Sequence, residues 1–360
     1  MATQTETKPK LTFEKTETPS VWMRTLVPIL ALMGTFILTS GLILWGNARP
    51  LEAYYYFLIA PLSNQVSALE VLVKSTPLIL TGVAVTFAFS AGYYNIGAEG
   101  QIYAGAIAAA WLGIALGDLP GIIVIPAMLV GGFLFGLVWA LVPALLKVKL
   151  AVDEVVTTLL LNSVMLYIVS ALLNGPWRDP ESGWPQSPEI AQSAMLPKLV
   201  PRSRLHLGFI FALIAVGVLW FIISRTGFGL KMRAVGLGKP AARFAGVNVE
   251  RTVLISALVS GGIAGIAGMV EVAGIQFHLI DALSPGYGIT GVIIATLGAL
   301  NPFGVTIAAL FFGLIDTGAQ TVSRALGVPI YLGEVTQATM LLVTLGMILL
   351  QRYNIRVRRS

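Results

Sequence analysis

SRTGFGLKMRAVGLGKPAARFAGVNVERT, residues 224–252, sets six basic residues against one acid, Glu250, in a chain that is otherwise strongly apolar. The bases are Arg225, Lys231, Arg233, Lys239, Arg243 and Arg251, with small residues in the spaces between them. Pro240 stands where the first turn of a helix tolerates proline, and Gly246 where a helix terminates. Between them Ala241, Ala242, Phe244 and Ala245 make a short helix, and Arg243 points off it. A helix of under about two turns does not hold by itself in water, because nucleation is too costly. The segment must therefore dock. Either Phe244 among its alanines is a compact apolar knob for a groove on a cytoplasmic partner, or the loop adheres to anionic lipid headgroups.

The rest of the chain says which side of a membrane such a loop would occupy. Of 360 residues, 56% are hydrophobic and only 11% charged, whereas a soluble domain carries about 25% charged residues. So few charges cannot cover a soluble particle of this size, and lipid must replace the polar surface. The net charge of +6 then marks loops held on the cytoplasmic side and is no sign of nucleic-acid binding. Cysteine is absent and histidine occurs twice, at His206 and His278. That excludes thiolate chemistry and leaves little for a metal site, so neither a catalytic group nor a metal ligand is expected. The polar N-terminus lacks a secretory cleavage pattern before the first apolar run.

A spanning helix needs about 20 mainly apolar residues. Ten segments qualify, near 25–45, 69–92, 101–117, 121–146, 155–173, 207–223, 252–273, 286–300, 303–325 and 331–350. The eighth is short and ends at Asn301-Pro302, as half a span or a broken helix joined to the ninth. The expected fold is an all-α integral membrane protein of about ten transmembrane helices. With ten spans, the N-terminal tail, Lys147 and Lys149, the 224–251 loop and the tail RYNIRVRR share the cytoplasmic side. An eight-span version also places both tails inside. The proline-rich 174–206 loop falls outside as a short cap, although it carries Arg178, Lys198, Arg202 and Arg204. Residues 46–65, with Tyr54, Tyr55 and Tyr56, suit an interfacial helix. The organisation is a tail of residues 1–24, a membrane domain of 25–350 and a flexible tail of 351–360.

Small residues recur every four positions in Ala257, Gly261 and Gly265, with Ala264 and Gly268 nearby, and in Gly105 and Ala109. Such spacing lets helix backbones approach closely. SAGYYNIGAEGQIYAG, residues 90–105, places Asn95, Glu99 and Gln101 among glycines with almost no loop to house them. At membrane depth a polar break of this kind lines a cavity or is buried in protein; the alternative is a short cytoplasmic hairpin with a solvated Glu99. Glu154, Thr158 and Asn162 lie four residues apart and form one stripe of a helix. That stripe either bonds a neighbouring helix or lines a polar pathway. Glu271, Gln276, His278 and Asp281 do not have the spacing of known helical metal motifs, which favours an external turn. Asp316 and Glu334 are further intramembrane acids.

Four stretches give the chain a resemblance: NIGAEGQ (95–101), DEVVTTLLLN (153–162), MRAVGLGKPAARFAGVNV (232–249) and SPGYGITGVIIATLGALNPFG (284–304). With the apolar pattern they cover nearly everything from Leu26 onward, and the third is the most specific. The chain resembles the permease subunits of ATP-binding-cassette importers of the ribose, branched-chain amino acid and nucleoside branch. Its nearest likeness is to nucleoside permeases that work with a basic-membrane-protein type of lipoprotein. It departs from that branch at Asp153, where Asn is usual, and near Leu237 and Gly238, where Asn is common.

The resemblance implies a bacterial cytoplasmic membrane protein with both termini inside, paired with a second, paralogous permease. It also implies cytoplasmic ATPase subunits, an extracytoplasmic binding lipoprotein and the surrounding lipid as partners. Gly238, Lys239, Pro240, Ala241, Ala242, Arg243, Phe244, Ala245 and Gly246 would form the ATPase-coupling segment. Asn95, Glu99, Gln101, Glu154, Thr158 and Asn162 are candidates for the solute pathway. The chain has no phosphate loop of the form G-x-x-x-x-G-K-[ST], so it binds no cofactor and ATP would be used by the partner. The competing reading is a secondary transporter driven by an ion gradient through Glu99, Glu271, Asp316 or Glu334. An intramembrane enzyme is a third and weaker one.

Overall fold

The computed structural model describes residues 10–15, 21–329, 331, 332, 334–336, 338, 339, 342, 343, 346 and 353–358. The segment expected at 331–350 and the ends of both tails therefore lie partly outside the described residues. Among the described residues twelve α-helices follow in order: α1 (Val21–Trp45), α2 (Pro50–Tyr54), α3 (Gln65–Ser90), α4 (Ala98–Ala115), α5 (Gly121–Leu150), α6 (Glu154–Asn174), α7 (Gly208–Arg225), α8 (Gly227–Leu237), α9 (Lys239–Phe244), α10 (Val249–Glu271), α11 (Tyr287–Leu297) and α12 (Pro302–Leu326). The first nine apolar segments read from the sequence each fall on one of these helices. Among the described residues, six helices are long and apolar enough to cross a membrane, with Met33–Trp45 and Tyr287–Leu297 as shorter apolar pieces. This is a multi-pass membrane protein.

Helix starts follow their capping residues. Asn64, Asp153, Thr226 and Asn248 accept hydrogen bonds from the first backbone N–H groups of α3, α6, α8 and α10. Asp caps as well as Asn does, so Asp153 keeps the local structure of the Asn usual in the resembling branch. The segment at 286–300 is a half-length helix. α11 has 11 residues, roughly 16 Å of rise. Left-handed Ala299 and Leu300 then turn the chain, and Asn301 Oδ1 accepts from Phe303 N at 3.0 Å to start α12.

The chain divides into two compact units, Pro61–Thr317 and Met1–Ala60 with Gly318–Ser360. In the larger, α10 packs on α5, α4 and α3. The small-residue spacing is used for this contact. A Cβ on Gly265 would overlap the Gly132 carbonyl of α5, one on Gly105 the Gly265 carbonyl, and one on Gly268 the Ile102 carbonyl of α4. Three helices thus meet backbone to backbone. Residues 175–207, between α6 and α7, are stitched to the turn after α10. Ser187 N donates to Leu279 O at 2.9 Å, Ile190 N to Phe277 O at 2.9 Å and Leu196 N to Ala273 O at 2.8 Å. His206, buried beside Gly274, accepts from Gly208 N at 3.1 Å through Nδ1, and burial pushes its pKa down to about 4.

In the smaller unit the Tyr54 hydroxyl reaches the Phe36 carbonyl and lies 3.0 Å from the hydroxyls of both Thr39 and Ser40. Residues of both tails, in which Leu11 and Phe13 and then Tyr353, Ile355 and Val357 alternate with polar residues, form an antiparallel pair: β1 (Lys10–Lys15) runs against β2 (Tyr353–Arg358), with Lys10 opposite Arg358. A bulky residue at the three-helix contact should be intolerable. Gly268→Val is expected to cost about 3 kcal/mol or more and abolish membrane accumulation. Gly217→Ala, where a Cβ meets open space, should leave the melting temperature of the purified protein unchanged or raised.

Candidate functional site

The break between α3 and α4 is the most polar place in the interior. Asn95, Glu99, Gln101, Glu154, Thr158 and Asn162 are all buried. Their chemistry follows from one requirement: the first N–H groups of a helix that begins inside protein need acceptors. Gly100 N donates to Asn162 Oδ1 at 2.8 Å, and Asn162 Nδ2 donates back to Ile96 O at 3.0 Å. Ile96 N donates to Thr158 Oγ1 at 3.3 Å. The α6 stripe seen in the sequence is thus laid along the break, one full turn of helix between successive contacts.

A second set ties the break to α10 and α3. Asn95 Nδ2 donates to Gln101 Oε1 at 2.8 Å and to Ser260 Oγ at 2.9 Å. Ser260 Oγ donates in turn to Ala84 O at 2.6 Å. Gln101 Nε2 and Gly97 N both donate to Asn95 Oδ1, at 3.1 and 3.0 Å. Glu154 joins neither set through its carboxylate, which is paired with Lys147 at the end of α5.

Glu99 does something different. Its Oε2 accepts from Gly288 N at 2.6 Å, in the first turn of α11. Gly288 lies so close to the Glu99 backbone that a Cβ there would come 2.6 Å from Glu99 Cα. The starts of two helices therefore meet, and one carboxylate fills the anion-attracting end of α11. Of the remaining acids, Asp316 pairs with Lys74 at 3.1 Å, Asp281 accepts from the Tyr103 hydroxyl through its backbone carbonyl at 2.6 Å, and Glu334 is exposed. His278 Nδ1 lies 2.9 Å from Ser187 O.

At the other end of α10 the basic stretch folds as its sequence predicts. α9 carries Pro240 in its first turn, and Gly246 follows it in the left-handed region at φ +80°. Ala242 is buried in a cluster with Ala88, Tyr93, Ala144, Val235, Val253 and Ala257. Phe244, two residues on, is 98% exposed, and Leu237 91%. Arg243 reaches Glu250 at 3.5 Å, with both side chains exposed.

Residues 67–350 match the family described as "Branched-chain amino acid transport system / permease component". The chain belongs to that family. The permease is 33% identical over 358 residues to the glucose ABC transporter permease protein TsgB13 of Haloferax volcanii, covering 97% of this chain and 94% of that protein. It is 35% identical to the guanosine ABC transporter permease protein NupP of Bacillus subtilis over 76% of this chain and 79% of that one. With the nucleoside ABC transporter permease protein NupB of Lactococcus lactis it shares 30% identity over 88% and 90% of the two chains. It is thus a permease subunit of an ABC importer and not itself an enzyme. Subunits of this kind work with an ATPase and a solute-binding protein.

Sequence reading named Glu271 and Asp316 in the permease but passed over Lys74, Glu70 and their relation to Arg204. The signal was present, since Lys74 is a charge well inside the 26-residue apolar helix α3. Loss of the Asn162 amide should be costly because two buried backbone groups lose partners together. Asn162→Ala is expected to destabilise the purified permease by about 2–4 kcal/mol, read as a lower thermal midpoint, whereas Asn174→Ala, on an exposed side chain of the same helix, should change it little.

Proposed function

We propose that the permease imports nucleosides and that α9 is the element through which a cytoplasmic ATPase moves it. Phe244 carries the second half of this reading. An aromatic ring 98% exposed, on a helix too short to stand alone and held from behind by buried Ala242, is suited to fill a groove on a partner. The surrounding bases belong to the cytoplasmic side. Pairing of residues 10–15 with 353–358 supports placing both termini on one side of the cytoplasmic membrane, as an even number of spans, about ten, requires. Tails of 1–24 and 351–360 would then flank a permease domain of 25–350, with 224–251 as the coupling loop and 174–206 as the external loop. A paralogous permease would complete the pathway, and a binding lipoprotein would deliver the solute.

The nucleoside assignment rests on likeness to guanosine and nucleoside permeases and on the state of α11. A half-length helix start at membrane depth is where transporters hold an anionic solute group. Here Glu99 fills it, which favours a solute without a phosphate or free carboxylate. A hexose is the second reading, favoured by likeness to a glucose permease along nearly the whole chain. The network of Asn95, Gln101, Thr158 and Asn162 spends its polar atoms on backbone and on itself, so we assign it to holding the break open for Glu99 rather than to touching solute.

Phe244→Asp is expected to lower ATP-driven uptake at least about tenfold and to release the ATPase during purification, while the permease remains folded. Uptake at the wild-type rate would remove α9 from the coupling role. In cells carrying the complete importer, unlabelled nucleosides should compete with labelled guanosine, and glucose should not; the reverse pattern would establish the hexose reading.

A further inference from the structure

Two opposite charges meet inside spanning helices. Lys74 lies in α3 (Gln65–Ser90) and Asp316 in α12 (Pro302–Leu326). At about 1.5 Å per residue each is roughly 14–15 Å from the nearer helix end, well within its apolar run. Nζ and Oδ2 are 3.1 Å apart, yet the side chains keep 21% and 40% exposure. Charges exposed within spanning helices face water or protein rather than acyl chains. Lys74 and Asp316 therefore mark a face of the permease that is turned away from lipid.

Other polar groups converge on the pair. Glu70, one turn before Lys74 on α3, is paired with Arg204 of the external loop. Glu271, at the end of α10, is 3% exposed, and among the described residues its carboxylate makes no hydrogen bond or ion pair. Burial acts on it most strongly, and of the charges nearby Lys74 and Arg204 attract it and Glu70 repels it. Buried Tyr287, at the start of α11, lies within the fields of Glu271, Asp316, Glu99 and Arg204. Buried polar groups in folded proteins nearly always have partners, and a carboxylate without one, beside an exposed ion pair, is an acceptor awaiting a donor.

We propose that Lys74, Asp316, Glu271 and Tyr287 form the solute-reading surface at the loop-side mouth of the pathway, and that it takes neutral, hydroxyl-rich solutes. This rests on the importer reading above. Two carboxylates accept from a pair of adjacent hydroxyls, and the ammonium and the phenol donate to hydroxyl or ring oxygens. The local charges are two cations, Lys74 and Arg204, against three acids, Glu70, Glu271 and Asp316. There is no surplus of positive charge for a phosphate. A ribose diol and a hexose offer the same chemistry, and the experiment separates them.

The complete importer in proteoliposomes is supplied with saturated binding protein, so that the binding protein's own affinity leaves the comparison. Initial uptake is measured for guanosine, its 2′,3′-dideoxy analogue and glucose. The permeases compared are wild type, Glu271→Gln, Asp316→Asn and the exchange Lys74→Asp with Asp316→Lys. Each single variant should slow uptake of the hydroxylated solute about tenfold and abolish preference for guanosine over the dideoxy analogue. ATPase stimulation by loaded binding protein should stay within about twofold of wild type. The exchange should restore any lost membrane accumulation without restoring preference. Single variants that keep both rate and preference overturn the proposal, as does an exchange that recovers wild-type preference, since the pair is then structural. Wild-type uptake of guanosine identifies a ribose diol and uptake of glucose a hexose; either supports the surface. A wild-type importer that moves neither, but moves an anionic solute, overturns the nucleoside and hexose readings themselves together with this one.

Discussion

A helix that begins inside the protein leaves its first N–H groups without water, and the rest of this structure is arranged around that fact. α4 starts at Ala98 after a break in which Asn95 and Gly97 are buried. Asn162 supplies the acceptor for Gly100 and closes the other side of the break at Ile96. Asn95 folds back on Gly97 and reaches α10 through Ser260. Unpaired, each of these groups would cost about 1–3 kcal/mol. With them paired, the start of α4 can stand against the start of α11, and Glu99 can sit where it accepts from Gly288.

That meeting of two helix starts shapes the electrostatics of the interior. Helix N-termini attract anions, and transporters use such ends to hold charged solutes. Here the protein's own carboxylate occupies the place. Of the charges nearby, Lys74 of α3 is paired with Asp316 of α12, and Glu70 of α3 with Arg204 in the loop before α7. What is left is an interior whose buried amides are already paired and which is poor in net positive charge. The solutes that relatives carry in their names, guanosine and glucose, call for no such charge.

Much of this was legible in the sequence, and for identifiable reasons. Apolar length marks helices directly, so the nine segments that fall on α1, α3 to α7 and α10 to α12 were placed to within a few residues. Pro240 and Gly246 bracketed α9 because one tolerates a helix start and the other a left-handed stop. The spacing of Glu154, Thr158 and Asn162 predicted one face of α6. It did not say that Asn162 would serve Gly100 while Glu154 turned to Lys147, because partners 62 residues apart depend on how helices cross. Lys74 went unremarked for a similar reason. One cation within an apolar run means little until Asp316, on α12, is brought to it. The strand pairing of the tails was missed although Tyr353, Ile355 and Val357 alternate with polar residues as a strand requires, because two six-residue runs stand out less than long apolar helices.

The glycine contacts among α4, α5 and α10 also decide how force can travel. Carbonyl oxygens resting directly on neighbouring backbones leave no compliant side chains to absorb a displacement. These helices therefore meet with little room between them. Ala242 of α9 is packed in one cluster with Val253 and Ala257 of that same α10. A displacement of α9 would pass to α10 through apolar side chains, and from α10 to α4 and α5 through backbone.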